Sequence, residues 1–163
     1  DTSVHEYPTS EQMAEIAIST ARVVRLFGFD PKVAFVSHST FGQPLTSRTK
    51  HIRNAVDILK EKKVDFIFDG DMQPDVALNP EYEELYPFSR IVGKANILIM
   101  PGQHSAAISY KMMKTFGDTK VIGPLLIGLG LPIEIAPLRS STSELINLAS
   151  IAAYSADVIE YEK

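Results

Sequence analysis

No cysteine occurs among the 163 residues, which excludes disulfides, thiolate catalysis and cysteine-based metal sites from this chain. No apolar run reaches the roughly 18 residues that a bilayer-spanning helix needs. The start of the chain is polar, with Asp1, His5 and Glu6, and lacks the apolar stretch of a secretory signal. Charge of one sign is not in strong excess either. A formal net charge of −4 leaves no basic footprint for nucleic acid or for an anionic membrane, although a local cluster of N–H donors can bind phosphate on an acidic protein. What remains is the composition of a soluble cytosolic domain, 45% hydrophobic and 22% charged, long enough to build one core. Asp1 stands where an initiator Met would, and residues 1–8 read as a linker. The expectation is a piece of a longer polypeptide whose folded part covers residues 9–163.

Thr9 and Gln12 have the spacing of a capping box. Met13, Ile16, Ala17, Ala21, Val24 and Phe27 then recur at helical intervals up to Gly28, which suits a helix stop. Residues 33–36 form a short apolar run fit for a buried strand. A Ser/Thr/Gly loop over residues 37–42 leads to a second helix with Ile52, Ala55, Val56 and Leu59 inward. Further strands are expected over residues 64–68, 97–100, 121–127 and 133–135, with helices over 79–86, 104–116 and 142–155. Strands alternating with helices predict an α/β fold, layered around a mostly parallel sheet.

Several loops carry residue types suited to chemistry. Residues 37–42, Ser-His-Ser-Thr-Phe-Gly, follow a strand, where ligands of α/β sheets sit. Their hydroxyl and N–H groups suit a phosphate or an acyl carbonyl, and the same composition also makes a plain turn with local hydrogen bonds. Asp69-Gly70-Asp71, with Asp75 nearby, offers carboxylates for a divalent cation. It lacks the Glu that closes a calcium loop, and a strand-end turn with Asp side chains on backbone N–H groups is the better reading. Gly128-Leu129-Gly130 leads to Pro132 and another strand rather than to a helix, so no dinucleotide fingerprint is present.

Three stretches taken in order carry a resemblance. They are Asp69-Gly70-Asp71-Met72-Gln73-Pro74-Asp75, then residues 93–101 running on to Tyr110-Lys111, then Val121-Ile122-Gly123-Pro124 through Gly128-Leu129-Gly130-Leu131-Pro132. The chain resembles the second half of the phosphotransacetylase family. One kind of member transfers acetyl groups between phosphate and coenzyme A, and another is a regulatory module fused to the malic enzyme of many bacteria. The resemblance implies an α/β lobe of isocitrate dehydrogenase-like architecture, with the first half of the family's fold lying upstream. It also implies an acetyl-coenzyme A cleft bounded by Ser39, Thr40, Gly42, Gly123, Pro124, Gly128, Ser140 and Ser141.

The segment from Ala136 to Asn147 separates the two kinds. Active members carry Ser-Arg-Gly-Cys-Ser-x-x-Asp here. Aligned back from Asn147 without a gap, the catalytic Ser-Arg pair falls on Pro137-Leu138, and the Asp proposed as a base for the thiol falls on Glu144. With a one-residue gap the Arg becomes Arg139, but the Ser becomes Leu138. Transfer needs an electrostatic clamp and a base within reach of the thiol. Leu138-Arg139-Ser140-Ser141 running into Leu145-Ile146-Asn147-Leu148 is similar to the malic-enzyme branch. So is Ser-His-Ser-Thr-Phe-Gly. Ser141 and Glu144 also fit a plain capping box. Further departures are Ser105-Ala106-Ala107 for the family's Ala-Gly-Asn, and Gly130-Leu131-Pro132 for Asn-Lys-Pro. The expectation is therefore a non-catalytic module that binds acetyl-coenzyme A as effector. It would self-associate and be joined to an upstream malic enzyme domain that holds NADP and a divalent metal.

Overall fold

Thr9 opens the first helix as its sequence predicts. Its hydroxyl accepts from the Gln12 N–H, and the Gln12 side chain accepts from the Thr9 N–H, satisfying two of the donors that a helix start leaves free. The computed structural model describes residue 1, residues 3–116 and residues 121–161, with residues 158–161 by backbone alone. Helix α1 spans Ser10–Leu26 and ends where Gly28 takes φ +82°. It is followed by β1 (Lys32–Val36), α2 (Ser47–Glu61), β2 (Ile67–Met72), the short α3 (Pro74–Leu78), a 3₁₀ turn (Pro80–Glu84), β3 (Ile97–Ile99), α4 (Gln103–Phe116) and α5 (Thr142–Tyr161). Gly117, a residue suited to stopping the helix expected over 104–116, lies outside the described residues.

The sheet has the order β2-β1-β3 and both pairings are parallel. Its central strand, Lys-Val-Ala-Phe-Val, is buried on both faces. Val33 and Phe35 meet Met13, Ala17, Ile52, Val56 and Leu59 from α1 and α2, and Phe68, Ile97 and Ile99 complete that core. Ala34 and Val36 point the other way, against Met72, Ala77, Ile91 and Ala95. This is the two-residue alternation of a strand. Each large side chain that it buries stabilises the fold by about 1.5–3 kcal/mol.

Expectations for residues 64–86 are corrected. The strand placed over residues 64–68 runs instead from Ile67 to Met72, because a strand exists only where it lies beside a partner, and β1 pairs Lys32 with Ile67 through Val36 with Met72. Asp69-Gly70-Asp71 therefore lies inside β2 rather than in a turn after it. Gly70 has φ +151°, and a Cβ there would stand 2.7 Å from the Phe35 carbonyl oxygen, so only glycine fits. The register skips Asp71 between the Phe35–Gly70 and Val36–Met72 pairs, which makes a bulge. Residues 79–86 hold a 3₁₀ turn rather than an α-helix.

Residues 121–127 and 133–135 form no strand among the described residues. The segment carries prolines at 124, 132 and 137, which have no N–H to give a ladder. The Leu126 N–H goes to the Glu134 carboxylate. Ile122, Leu129, Leu131, Ile133 and Ile135 are all about half exposed or more, so these side chains are not packed as a buried strand would pack them.

Candidate functional site

The chain divides into two compact units, Asp1–Ser109 and Tyr110–Lys163. The first contains a cavity of about 820 Å³, within the ~300–1,000 Å³ of small-molecule sites. It opens beyond the carboxyl ends of β1 and β3. Val36, Ser37 and His38 line it after β1, and Met100, Pro101 and Gly102 after β3. This is where the chain order of the sheet reverses, since β1 is flanked by β2 on one side and by β3 on the other, and such switch points are where open α/β sheets bind ligands. Ser47 and Arg48 reach the cavity from the start of α2, and His104, Ser105 and Ser109 from α4. Glu6 to Thr9 form a further wall.

That wall is fastened. The Gln103 N–H at the start of α4 donates to the Glu6 carbonyl at 3.1 Å. The His51 ring lies 2.9 Å from the Pro8 carbonyl through Nε2 and 3.0 Å from the Ser10 hydroxyl through Nδ1. Ser10 in turn donates to the His51 carbonyl. The cavity thus presents hydroxyls, imidazoles and one guanidinium, with Glu6 as its carboxylate, a set suited to a polar ligand bearing phosphate or carbonyl oxygens.

The loop over residues 37–42 is tied to the end of β2 at every position. The Ser37 N–H donates to Met72 O at 2.8 Å, and the Gln73 side-chain amide donates to His38 O at 3.1 Å. The Ser39 hydroxyl donates to Asp71 Oδ2. The Gln73 N–H donates to Thr40 Oγ1 at 3.2 Å. The Phe41 N–H donates to Asp71 O at 2.6 Å, and the Gly42 N–H to Asp71 Oδ1 at 3.0 Å. Ser39, Thr40 and Gly42 are buried. Ser37 and His38, rather than these three, line the cavity. Asp69 accepts from the N–H groups of Gly70 and Arg90. Both carboxyls of the Asp-Gly-Asp sequence are thus committed to the fold. Among the described residues, no cluster of His, Asp and Glu stands ready for a metal ion.

The other five expected site residues lie in the second unit. Gly123 and Ser140 border a crevice with Glu144, Asn147 and Leu148, and the Tyr110 hydroxyl donates to the Gly123 carbonyl. Pro124 and Gly128 lie on the irregular segment beyond it, Gly128 at a bend with φ +82°. Ser141 caps α5: its hydroxyl accepts from the Glu144 N–H, while the Glu144 carboxylate takes the Ser141 N–H at 2.7 Å. Lys114 Nζ adds an ion pair at 2.9 Å. The Lys114 ammonium, with the Ser141 donors, holds the Glu144 carboxyl down at about 2, and Glu144 pushes the Lys114 ammonium up in return. Leu138 is fully exposed.

Arg48, His51 and His104 were not marked by the sequence reading. The nearest signal was Ser105, which stands in a family motif just after β3.

Residues 1–153 match the phosphate acetyl/butaryl transferase family, and the chain belongs to that family. It is 49% identical over 156 residues to an NADP-dependent malic enzyme of Rhizobium meliloti, covering 96% of this chain and 20% of that protein. It is 35% identical over 158 residues to a phosphate acetyltransferase of Clostridium acetobutylicum, covering 96% of this chain and 47% of that protein. A phosphotransacetylase structure from Streptococcus pyogenes superposes with a TM-score of 0.90 at 34% identity, over 96% of this chain and 48% of the other. The chain therefore spans about a fifth of the malic enzyme and about half of the phosphate acetyltransferase. The α/β class with a parallel sheet is as expected. No helix among the described residues is long and apolar enough to cross a membrane.

Proposed function

We propose that this chain is the C-terminal lobe of a phosphotransacetylase-like regulatory domain of an NADP-dependent malic enzyme. In this reading it binds acetyl-coenzyme A as an effector and performs no acyl transfer. The parent protein oxidatively decarboxylates malate, with NADP and a divalent metal held in a separate upstream domain. The observation that carries this reading is the higher identity to the malic enzyme than to the phosphate acetyltransferase over the same share of the chain. The geometry supports it. Glu144, at the place of the family's thiol base, is held as an anion by Lys114 and Ser141. A carboxyl with so low a proton affinity is a poor general base near neutral pH. The exposed Leu138 offers no hydroxyl or charge where the family's clamp begins.

Ser37, His38 and the rest of the cavity lining supply the polar groups for the effector, and its occupancy couples to the malic enzyme site by roughly 1–3 kcal/mol, reciprocally. Self-association through these domains belongs to the same reading. The alternative is an active phosphate acetyltransferase, which the close structural match to a phosphotransacetylase favours. Isothermal titration of the full-length parent with acetyl-coenzyme A tests the ligand. Saturable binding is expected, and absence of binding at millimolar ligand contradicts the reading.

A further inference from the structure

Asp71 is fully buried and does not line the cavity, yet it supplies three of the six fastenings of the loop over residues 37–42. A buried carboxyl group is retained only where its oxygens find donors. Here both oxygens do, and both donors come from the loop, 32 and 29 residues away in sequence. The bulge in β2 is what turns this residue out of the ladder, since the pairing passes from Gly70 to Met72 and leaves Asp71 over. The loop needs such an anchor. Phe41 sits at φ +49° beside Gly42 at +83°, a backbone that a bulky residue adopts only when its surroundings hold it there. Ser37 and His38, at the head of the same loop, face the cavity.

We propose that Asp71 is a positioning residue for acetyl-coenzyme A binding, locking residues 37–42 in the shape that presents Ser37 and His38 to the ligand. This rests on the acetyl-coenzyme A reading above. Asparagine at this position keeps the acceptor for the Gly42 N–H but takes away the one for the Ser39 O–H, whose oxygen can then only accept a weaker bond from the amide, so D71N loosens the lock without adding bulk.

The test uses the full-length parent, with acetyl-coenzyme A titration and hydrogen exchange of the loop peptide measured on D71N, S39A, the double variant and V56A. Val56 is buried in α2 away from the cavity and serves as a control for lost stability alone. D71N is expected to weaken binding on the order of tenfold and to speed exchange of residues 37–42. S39A acts in the same direction and covers the case of D71N failing to fold. The double variant is no worse than D71N, because the two residues share one bond. V56A lowers the melting temperature and leaves affinity and loop exchange as they were. The proposal is overturned by D71N and S39A binding within twofold of wild type, or by V56A losing affinity as much as they do. If the wild type binds no acetyl-coenzyme A, the ligand reading falls, and loop exchange decides about the lock. Faster exchange in D71N but not V56A supports it, and unchanged exchange overturns it.

Discussion

Lys114 Nζ lies 2.9 Å from Glu144 Oε1, joining α4 to the first turn of α5 across 30 residues of chain. The pair fixes a carboxylate that also closes the α5 capping box with Ser141. Glu144 therefore has a pKa of about 2 in the folded protein, below its usual value near 4.5. A depressed carboxyl binds its proton more weakly folded than unfolded, so its contribution to stability is present above about pH 4.5 and is lost as pH falls toward 2. Glu144→Gln should flatten that part of the stability–pH curve, and Lys114→Met should raise the Glu144 titration midpoint toward the usual range by carboxyl-resolved NMR. An unmoved midpoint in Lys114→Met would show that the ion pair is not what holds it.

The same relationship bears on catalysis. In the proposed function, full-length protein given acetyl phosphate and coenzyme A should form acetyl-coenzyme A no faster than a blank, because Glu144 is tied up by Ser141 and Lys114 and Pro137-Leu138 align with the family's Ser-Arg pair. Turnover well above background, and abolished by Glu144→Ala, would establish the phosphate acetyltransferase alternative instead.

Gly70→Ala tests the β2 path. Its Cβ would stand 2.7 Å from Phe35 O and 2.8 Å from Phe35 Cβ at a φ of +151°. The strand must shift, at a cost of about 1–3 kcal/mol, read as a lower urea midpoint. Stability within 0.5 kcal/mol, the approximate range of neutral surface changes, would mean that β2 does not run this close to β1.

We propose α5 as a self-association surface. Leu145, Ile146 and Tyr154 are each about half exposed or more, and Leu148 is buried, so apolar residues occupy more than one side of the helix. Sedimentation of the full-length parent should show an oligomer that Ile146→Glu shifts toward smaller species. A strict monomer at high concentration for the wild type would remove this surface as a self-association site.

Much of the fold was legible because its signals are local. The capping boxes Thr9–Gln12 and Ser141–Glu144 each complete themselves within four residues. The helical spacing of Ile52, Ala55, Val56 and Leu59 names the buried face of α2. The limits of β2 were not legible, since they depend on register with a strand more than 30 residues earlier. For the same reason Asp71 read as a turn residue, its donors Ser39 and Gly42 being distant in sequence. The apolar run at residues 121–127 had the composition of a strand but no partner among the described residues, and composition does not report pairing. Of the cavity, Ser37 and His38 lie in the loop singled out by its place after a strand, whereas Ser39, Thr40 and Gly42, named from the resemblance, do not line it. Arg48, His51 and His104 were not singled out, because all three sit near the starts of helices and nothing in the helical pattern marks the cavity they share.

The most direct test of the central claim is malate-dependent reduction of NADP by the full-length protein, measured with and without acetyl-coenzyme A and with free coenzyme A as control. A coupling of about 1–3 kcal/mol corresponds to roughly a 5- to 150-fold change in apparent malate affinity, and the account predicts a saturable shift in this range, in either direction. Identical malate kinetics at saturating acetyl-coenzyme A, or no malate oxidation at all, would contradict it.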